Sequence, residues 1–430
     1  MTLPDGWRHA RLGEECSIEI GGTPSRNVPA YWDDEKETGN LWVSIRDMNR
    51  QTITRTAEHI TASGIAHSNV KLQPAGTVLL SFKLTIGRVA FAGLPLYTNE
   101  AIAGLQSRTI VHDYLFRGLQ QWDLLQGVDQ AIKGATLNKA KLKKIEFILP
   151  QTKSEQLKIA EILSILDRAI EKTEALIDKQ ERTKNGLLQD LLTRGIDERG
   201  NVRSQETHSF RDSPLGRIPV DWACAPLSKF VPSAQYGVST SLGDTGQPVL
   251  RMNNLCDGEA ELSQLKYTDF AVPEGLWLRP GDVLFNRTNS WEHVGRSGIW
   301  RGQLERATFA SYLVRLNPDV SLLLPELLCT WLNWDATQIR MRQFATPGVQ
   351  QVNINPTNLR LLLAAFPQSL HEQQTIVEHV ATYRKVFQDT RAALKKLLAL
   401  KSGLMLDLLT GRKRVTASLQ AADQLMEQVA

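Results

Sequence analysis

Two proline-free stretches of the chain carry apolar residues at alternating spacings of four and three positions. They follow Pro150 and Pro367, and this heptad spacing is typical of a long helix that packs against another helix along one apolar stripe. We call the stripe the seam. Its predicted positions are Ile159, Leu163, Leu166, Ile170, Ile177, Leu187 and Leu191 in the first stretch, and Ile376, Val380, Tyr383, Phe387, Leu394, Leu397, Leu404 and Leu408 in the second.

Each predicted helix is about 60 Å long, because an α-helix rises about 1.5 Å per residue. A lone helix of this kind would leave its seam exposed. We therefore predict that the two helices pack against each other as an antiparallel coiled coil, with a globular domain at each end and a pseudo-two-fold axis. Polar residues interrupt the seam at matching places, Thr173 with Thr390 and Lys184 with Lys401. They either penalise misaligned registers or are tolerated because they lie near the surface.

Outside the helical stretches, apolar runs are short and are bounded by turn-forming residues, which is typical of strands. Two longer segments, residues 115–126 and 323–342, have helical patterns. The sequence therefore predicts the α+β fold class, with two mixed α/β globular domains of about 150 residues each. The strand-like runs of the first half are residues 41–45, 77–82, 88–91 and 145–149.

The chain is an internal duplication. Residues 184–193 recur as residues 401–410 with seven of ten positions identical, at an offset of 217. Weaker matches relate residues 3–7 to 218–222, and 72–80 to 278–285. The offset of 217 also pairs Pro150 with Pro367, Glu155 with Glu372, Gln156 with Gln373 and Ile159 with Ile376. The predicted segments are a first domain (1–150), a central helix (151–196), a linker (197–217), a second domain (218–367), a C-terminal helix (368–412) and a tail (413–430).

Composition narrows the class of protein only slightly. A net charge of +4 and a pI near 8.8 permit a nucleic-acid partner without requiring one. The cysteines form no C-x-x-C pair, which argues against a zinc cluster or a disulfide framework and favours a reducing compartment. We expect a cytoplasmic protein, because neither a signal peptide nor a membrane-spanning run is evident. The cysteine spacing also leads us to expect no metal site. The cysteines are Cys16, Cys224, Cys256 and Cys329.

Motifs of catalysis are missing from the sequence. It has no G-x-x-x-x-G-K-[ST] phosphate loop, no Asn-Pro-Pro-Tyr motif of amino-methyltransferases and no G-x-S-x-G elbow. A nuclease-like pattern from Pro4-Asp5 and Asp34-Glu-Lys36 has no counterpart in the second copy. His59, His67 and His112 do not have the spacing of a metal site. We therefore expect no catalysis by this chain alone.

Basic and amide side chains lie in glycine-rich, turn-like parts of both domains. Arginine forms hydrogen bonds with guanine, asparagine and glutamine form them with adenine, and lysine mainly neutralises phosphates. Each of these residues, taken alone, is also explained as a solvated loop residue. The DNA-binding candidates are Arg26, Arg46, Asn49, Lys83, Arg88, Lys133 and Asn138 in the first domain, and Arg251, Asn253, Asn254, Arg287, Asn289, Arg296, Gln350, Gln351 and Asn353 in the second.

Some candidates occupy matching places in the two copies. Residues 133–138 and 348–353 both precede the final strand of their domain, and residues 46–49 and 251–254 both end an early strand. Different side chains at equivalent places suit two readers of two different half-sites. Two basic groups, Lys139, Lys141, Lys143 and Lys144, and Arg412 to Arg414, either contact phosphates or are simply exposed.

The sequence resembles the specificity (S) subunit of type I restriction–modification systems, over residues 1–412. The resemblance implies two target-recognition domains that each read one half of a bipartite, asymmetric DNA site. It also implies conserved helices packed as an antiparallel coiled coil. The motifs that carry it are Leu3-Pro-Asp-Gly-Trp7 with Ile218-Pro-Val-Asp-Trp222, residues 150–156 with 367–373, and the two Lys-x-Gly-Leu-x-x-Asp-Leu-Leu-Thr segments.

The same resemblance implies the partners. They are double-stranded DNA, two methyltransferase (M) subunits that bind S-adenosylmethionine, and two restriction and translocase (R) subunits that use ATP and Mg, with no cofactor on this chain and no membrane. A rigid helical spacer would fix the separation of the half-sites near one turn of the duplex, about 34 to 36 Å. Two alternatives remain open at this point: a self-contained DNA-modification enzyme, and a coiled-coil scaffold that binds only proteins.

Overall fold

The computed structural model describes residues 3–125, 137–348 and 351–415. The chain divides into two compact units: unit 1 comprises Met1–Glu174 with Ala392–Ala430, and unit 2 comprises Ala175–Arg391. The first long helix, Lys153–Thr193, and the second long helix, Leu370–Leu409, each contribute one part to either unit.

The globular part of unit 1 contains two sheets and a strand pair that leads into the first long helix. The strand pair joins Trp7–Arg11 to Glu146–Pro150 in antiparallel register. In spatial order, the five-stranded sheet is Cys16–Ile20, Ile102–Ser107, Val78–Ser81, Val89–Ala92 and Thr52–Ile53, and the four-stranded sheet is Glu58–His59, Leu41–Val43, Leu96–Thr98 and Leu72–Gln73. The helices are Leu12–Glu15, Ala62–Ala66, His112–Gln121 and Lys139–Lys143, with 3-10 turns at Pro29–Tyr31 and Ile45–Asp47.

The strand Val78–Ser81 is buried on both faces. Val78 and Leu80 belong to the apolar cluster around helix His112–Gln121, whereas Leu79 belongs to a second cluster on the other face. Alternate side chains of a strand point to opposite faces of the sheet, so a strand covered on both faces is a continuous apolar run in sequence. This explains why residues 77–82 show no alternation of polar and apolar positions.

Unit 2 repeats this framework with different insertions. Its strand pair joins Trp222–Pro226 to Leu363–Pro367. In spatial order, the six-stranded sheet is Ser233–Tyr236, Leu313–Asn317, Val283–Asn286, Ser297–Ile299, Glu259–Ala260 and Leu255–Cys256. One three-stranded sheet is Lys266–Thr268, Gln247–Leu250 and Thr308–Phe309, and the other is Thr288–Asn289, Val352–Ile354 and Ala345–Pro347. A separate hairpin joins Phe210–Ser213 to Gly216–Pro219. The helices are Pro325–Leu332, Asp335–Arg342 and Pro356–Leu359, with 3-10 turns at Leu227–Lys229, Met252–Asn254 and Glu274–Leu276.

Two predicted helices need correction. The single helix predicted at 323–342 is two helices that break at Asn333, whose side-chain amide donates to the carbonyls of Ser297 and Cys329 while its carbonyl accepts from the Ser297 N–H. The two hydrogen bonds to Ser297 tie the break to the neighbouring strand, and the third caps the end of the first helix. The helix predicted at 115–126 begins at His112 and ends at Gln121. The strands predicted at 41–45, 77–82, 88–91 and 145–149 are present, with ends shifted by one or two residues.

The two long helices pack together within each unit, and their segments run in opposite directions. In unit 1, Ile159 and Leu163 share an apolar cluster with Met405 and Leu408. In unit 2, Leu188 and Leu191 share a cluster with Ile376 and Val380. In both clusters the start of one helix meets the end of the other, so the local pairing is antiparallel.

All predicted seam residues avoid full exposure. The buried ones are Ile159, Leu163, Leu166, Ile170, Leu191, Ile376, Val380, Phe387 and Leu408, and the half-buried ones are Ile177, Leu187, Tyr383, Leu394, Leu397 and Leu404. The polar interruptions behave differently from one another. Thr390 accepts a hydrogen bond from Gln180 across the helix pair at 3.1 Å, and Lys401 pairs with Asp167 at 2.7 Å, whereas Lys184 is exposed.

A buried carboxylate ties each globular part to the end of the long helices. In unit 2, Glu372 accepts hydrogen bonds from Arg203, from the Trp222 indole at 3.2 Å and from the Ile196 N–H at 3.1 Å. In unit 1, Glu155 accepts from Arg414 at 2.6 and 2.9 Å and from the Trp7 indole at 3.4 Å. The duplicated Trp and Glu thus form one structural feature, which we call the junction.

Unit 1 contains an ion-pair cluster that predicts a pH-dependent stability. Burial opposes ionisation of Asp167, but hydrogen bonds from Lys401 and Arg117 outweigh it and lower the pKa of the Asp167 carboxyl below its ordinary value. A carboxyl whose pKa is lower in the folded state stabilises the fold above its unfolded pKa, about 3.9, and this contribution is lost as the pH falls through the folded value.

We therefore expect Asp167→Asn to destabilise unit 1 at pH 7 by about 3 kcal/mol, because Arg117 is buried and would lose its counter-ion. The difference between variant and wild type should shrink when the pH is lowered from 5 to 3. Hydrogen exchange of unit 1 peptides, measured at both pH values, checks this. A pH-independent difference would contradict the assignment of the effect to the carboxylate charge.

Candidate nucleic-acid interface

Arg26 and Arg46, from separate turns of unit 1, meet at one carboxylate. Arg26 forms a salt bridge with Glu58, and Arg46 pairs with the same carboxylate at 2.6 Å. The Arg26 guanidinium also lies 3.7 Å from the centre of the Trp32 ring. The hydrogen bond from Arg26, opposed by burial, lowers the pKa of Glu58 below its ordinary value. Both arginines are exposed, so they can reach an anionic partner.

Arg88 and Asn49 adjoin this arginine pair. A reciprocal cap between Ser44 and Asp47 fixes the 3-10 turn Ile45–Asp47. Arg88 donates to the Ile45 carbonyl of that turn at 3.1 Å, and Asn49 and Arg88 line one open depression. Four predicted residues, Arg26, Arg46, Asn49 and Arg88, are thereby brought to one part of the unit 1 surface. Lys83 is half-buried and turns towards the Phe82 ring, 5.5 Å from its centre.

A small three-stranded sheet of unit 2 brings together residues more than sixty positions apart in the chain. Thr288 pairs with Asn353, and Asn289 with Val352. Arg287 precedes this strand and lies 5.0 Å from the Tyr236 ring centre. Gln351 is exposed at the end of the adjoining hairpin. The predicted residues Arg287, Asn289, Gln351 and Asn353 therefore share one surface.

The turn at 251–254 requires a correction. Asn254 is fully buried, its amide donates to the carbonyls of Glu261 and Ser263, and its carbonyl accepts from the Arg251 N–H. A base cannot reach this side chain, so Asn254 is a structural residue rather than a base reader. Asn253 is exposed, and the Arg251 guanidinium donates to the Gln264 carbonyl at 2.7 Å.

Arg296 is separate from the Arg287 surface of unit 2. It lines a crevice of about 400 Å³ together with Leu255, Cys256 and residues of both long helices, including Lys184 and Arg384. The structure thus divides the predicted residues of unit 2 into three groups.

The counterpart of Asn138 in the second copy is Asn355, and not Asn353 as the sequence suggested. Its side chain caps the short helix Lys139–Lys143, accepting from the Lys141 N–H at 2.9 Å. Asn355, at the offset of 217, caps Pro356–Leu359 in the same way at 2.8 Å. Asn138 and Asn355 are therefore equivalent caps, and Asn353 is not the counterpart of Asn138. The predicted residues Lys133 and Gln350 lie outside the described residues.

The two basic groups differ in exposure. Lys141, Lys143 and Lys144 are exposed, and Lys139 is half-buried. Arg414 is neither a phosphate contact nor a solvated residue, because it binds Glu155 in the junction and also donates to the Asp5 carbonyl. Lys413 pairs with Asp407 at 3.3 Å, whereas Arg412 is exposed.

Sequence reasoning missed the residues that organise these surfaces. Glu58 holds two of the predicted arginines, and Trp32 and Tyr236 lie under Arg26 and Arg287. The aromatic residues near Trp32 were a usable signal, since aromatic and cationic side chains often stack in nucleic-acid sites. Glu58 gave no such signal, because its strand pairing and its arginine partners arise from the fold.

If the arginine pair of unit 1 contacts phosphates, Glu58→Gln should strengthen DNA binding. Removing the carboxylate frees Arg26 and Arg46, so we expect affinity at low salt to rise several-fold. The slope of log K against log salt should become steeper by about 0.9 for each phosphate gained. Fluorescence anisotropy with the assembled methylating complex measures both quantities.

The control for this change is Glu19→Gln, which removes one charge from an exposed position of the strand Cys16–Ile20. A general effect of net charge would change both variants alike. Equal salt slopes for the two variants would contradict a phosphate contact by the arginine pair.

Among the described residues, no group of three or more His, Cys, Asp or Glu side chains could hold a metal ion. The helices of the same described part include none long and apolar enough to cross a membrane.

The strand pairs and the surfaces described above define an internally duplicated protein. Its two units share one framework and differ in the polar side chains of their loops.

Comparisons with known proteins agree with that class. Residues 4–181 match the family model of the type I restriction modification DNA specificity domain. The chain is 26% identical over 207 residues to a putative type I restriction enzyme specificity subunit, MjaX, of Methanocaldococcus jannaschii, covering 47% of this chain and 48% of that protein. The chain thus matches about half the length of this relative. The MjaVIII specificity subunit of the same organism is 21% identical over 437 residues, covering 96% of this chain and 95% of that protein.

A solved structure shows the same fold. A chain from a study of complex assembly and conformational transition of the type I R-M system has a TM-score of 0.59 and 16% identity, covering 95% of this chain and 99% of that chain. The resemblance to type I specificity subunits that the sequence predicted is confirmed: residues 4–181 match the family model of their DNA specificity domain, and the chain as a whole shares the mixed α/β fold of a solved type I S subunit.

Proposed function

We propose that this chain is the DNA-specificity subunit of a type I restriction–modification complex and that it has no catalytic activity of its own. The observation that carries the proposal is the duplicated framework with unlike polar side chains, which are exposed in unit 1 and mostly half-buried in unit 2. Unit 1 presents Arg26, Arg46, Asn49 and Arg88, and unit 2 presents Arg287, Asn289, Gln351 and Asn353. One framework with two different sets of base-reading side chains suits two different half-sites.

The long helices set the spacer between the half-sites. Burial of the seam and the antiparallel packing inside each unit support a coiled coil along both helices, with the segment boundaries proposed above. A rigid rod of this kind holds two readers at a fixed distance, as a bipartite site requires. The exposed polar and apolar positions of the same helices are the proposed docking surface for the methylating subunits.

The proposed partners supply the chemistry. Double-stranded DNA binds the two globular parts, two methyltransferase subunits bring S-adenosylmethionine, and two restriction subunits use ATP and Mg. This chain positions those subunits at the sequence that it reads and holds none of their cofactors.

The test is to map methylated sites in the genome of a host with and without this gene. We expect one motif with two defined halves and a fixed gap to be methylated only when the gene is present. Exchanging residues 3–150 for those of a relative with a known target should change one half of the motif and leave the other half intact. A change in both halves, or in neither, would contradict the assignment of one half-site to each unit.

Two further measurements separate the alternatives. Methyl transfer to DNA by the purified chain alone, with labelled S-adenosylmethionine, would show a self-contained modification enzyme. A complex with the methylating partner that shifts no DNA in a sequence-dependent way at moderate salt would show a protein scaffold.

A further inference from the structure

One hairpin in each unit is closed by the same hydrogen bonds. In unit 1 the Ser81 N–H donates to the Arg88 carbonyl, and the Gly87 N–H donates to the Ser81 carbonyl, both at 2.9 Å. In unit 2, Asn286, Arg296 and Gly295 make the same two bonds at 2.8 Å. Both glycines have positive φ, 91° and 86°. The hairpins are therefore equivalent, although five residues separate Ser81 from Gly87 and eight separate Asn286 from Gly295.

The tip of the unit 1 hairpin presents an apolar side chain to solvent. Leu84 is 92% exposed, and its φ of 61° is a left-handed conformation that residues with a side chain rarely adopt. The equivalent hairpin presents Trp291, which is 49% exposed. Residues that are held in a sparsely populated backbone conformation are concentrated at binding sites.

The surrounding residues fix the Leu84 tip in place. The Ser81 hydroxyl donates to the Thr85 carbonyl at 2.5 Å and accepts from the Arg88 N–H at 3.0 Å. Ile86, two residues from Leu84, packs against the main apolar cluster of unit 1. The exposure of Leu84 is thus built into the hairpin.

Cations flank the apolar residue in both hairpins. In the chain, Lys83 and Arg88 lie on either side of Leu84, and Arg287 and Arg296 lie on either side of Trp291. Arg88 and Arg296 are exposed, whereas Lys83 and Arg287 are half-buried beside the Phe82 and Tyr236 rings. Arg88 also contacts the turn that carries Arg46 and Asn49, so the Leu84 tip adjoins the proposed reading surface. A duplex offers phosphates to the cations and stacked base faces to the apolar tip, whereas an apolar protein groove would leave the cations without partners.

We propose that Leu84 and Trp291 insert between base pairs, one in each half-site, and unstack one step of the duplex. The inference rests on the proposed function, and it adds a role to these hairpins beyond base reading. Insertion kinks the DNA, and steps that unstack easily are then favoured at positions that no polar side chain contacts.

The test uses the complex of this chain with its methylating subunits and a duplex that contains the mapped motif. Permanganate and diethyl pyrocarbonate detect unstacked thymines and purines. We expect one hyper-reactive step in each half-site with the wild-type chain. Leu84→Gly should abolish the step in the unit 1 half only, and Trp291→Ala should abolish the step in the unit 2 half only.

Leu84→Gly should lower the affinity for DNA without lowering the stability of the free chain. Loss of the stacked side chain should weaken specific binding about tenfold with an unchanged salt slope, because no charge is removed. The melting temperature of the free chain should stay constant or rise, because glycine adopts positive φ without strain. Leu84→Met, which keeps an apolar side chain, is the matched control and should retain the hyper-reactive step.

Several outcomes would overturn the insertion. One is hyper-reactivity that persists in both Leu84→Gly and Trp291→Ala. Another is loss of association between Leu84→Gly and the methylating subunits in the absence of DNA, which would assign the tip to a protein contact. If the wild-type complex binds no specific duplex, the proposed function is wrong, and the proposed insertion is wrong with it. If the complex binds its duplex specifically but produces no hyper-reactive step, only the proposed insertion is wrong.

Discussion

Glu372→Ala should destabilise unit 2 by about 3 to 5 kcal/mol, because it leaves the Arg203 guanidinium without its principal counter-ion in a largely buried site. The side chains of Glu372 and Arg203 are 7% and 11% exposed. The substitution also removes the acceptor of the Trp222 indole and of the Ile196 N–H. A loss of this size is a large part of the stability of an ordinary domain.

Hydrogen exchange in increasing urea measures this change for each unit separately, which matters because a chain with two units need not unfold in one step. Peptides of unit 2 should lose protection at lower urea, while those of the unit 1 globular part should keep theirs. The control is Asp221→Ala, which removes a second, 55% exposed carboxylate that lies 3.0 Å from the same arginine. We expect that change to cost less than about 1 kcal/mol.

The equivalent substitution in unit 1, Glu155→Ala, should have a smaller effect. Arg414 is 26% exposed, more than twice as much as Arg203, so it can regain water when its carboxylate is removed. The double variant Arg203→Leu with Glu372→Leu should be less destabilised than Glu372→Ala, because no charge is left unpaired. If Glu372→Ala costs no more than Asp221→Ala, the junction does not join the globular part to the helices as we describe.

The junction also shows what the sequence could and could not predict. The offset of 217 paired Glu155 with Glu372, and the motifs around Trp7 and Trp222 were visible as a repeat. Their contact was not visible, since it depends on a strand pair that brings the tryptophan beside the start of the helix. The arginine partner of each glutamate was harder still to predict, because Arg203 lies in the linker and Arg414 lies beyond the second helix. These two segments have no similar sequence.

The candidate interface was predictable to a different degree. Local patterns indicated turns and hairpins, so the exposed Arg46 and the half-buried Arg287 were both found from composition and spacing. The same patterns could not separate Asn254, which is buried and fully hydrogen-bonded, from its exposed neighbour Asn253. Burial of a turn residue is decided by the strands packed around it, and those strands are distant in sequence. The break at Asn333 was missed for the same reason, because its partners lie in another element.

Lengthening both long helices by one heptad should lengthen the gap between the two halves of the methylated motif. We would insert seven residues between Glu174 and Ala175 and seven between Arg391 and Ala392, where each helix passes from one unit to the other. All packing inside each unit is then retained. Seven residues add about 10.5 Å of helix, which equals about three base pairs of duplex.

Twist limits how much of this length the DNA can follow. Each added base pair turns the second half-site by about 35° around the duplex, whereas one heptad of a left-handed coiled coil turns by only about 25°. We therefore expect the gap to grow by one to three base pairs, with weaker methylation and both half-sequences unchanged. Methylation mapping in a host that expresses the variant gives the gap directly. An insertion in the first helix alone, which gives the helices unequal lengths, should abolish methylation. An unchanged gap with retained methylation would mean that the helices join the two readers without setting their distance.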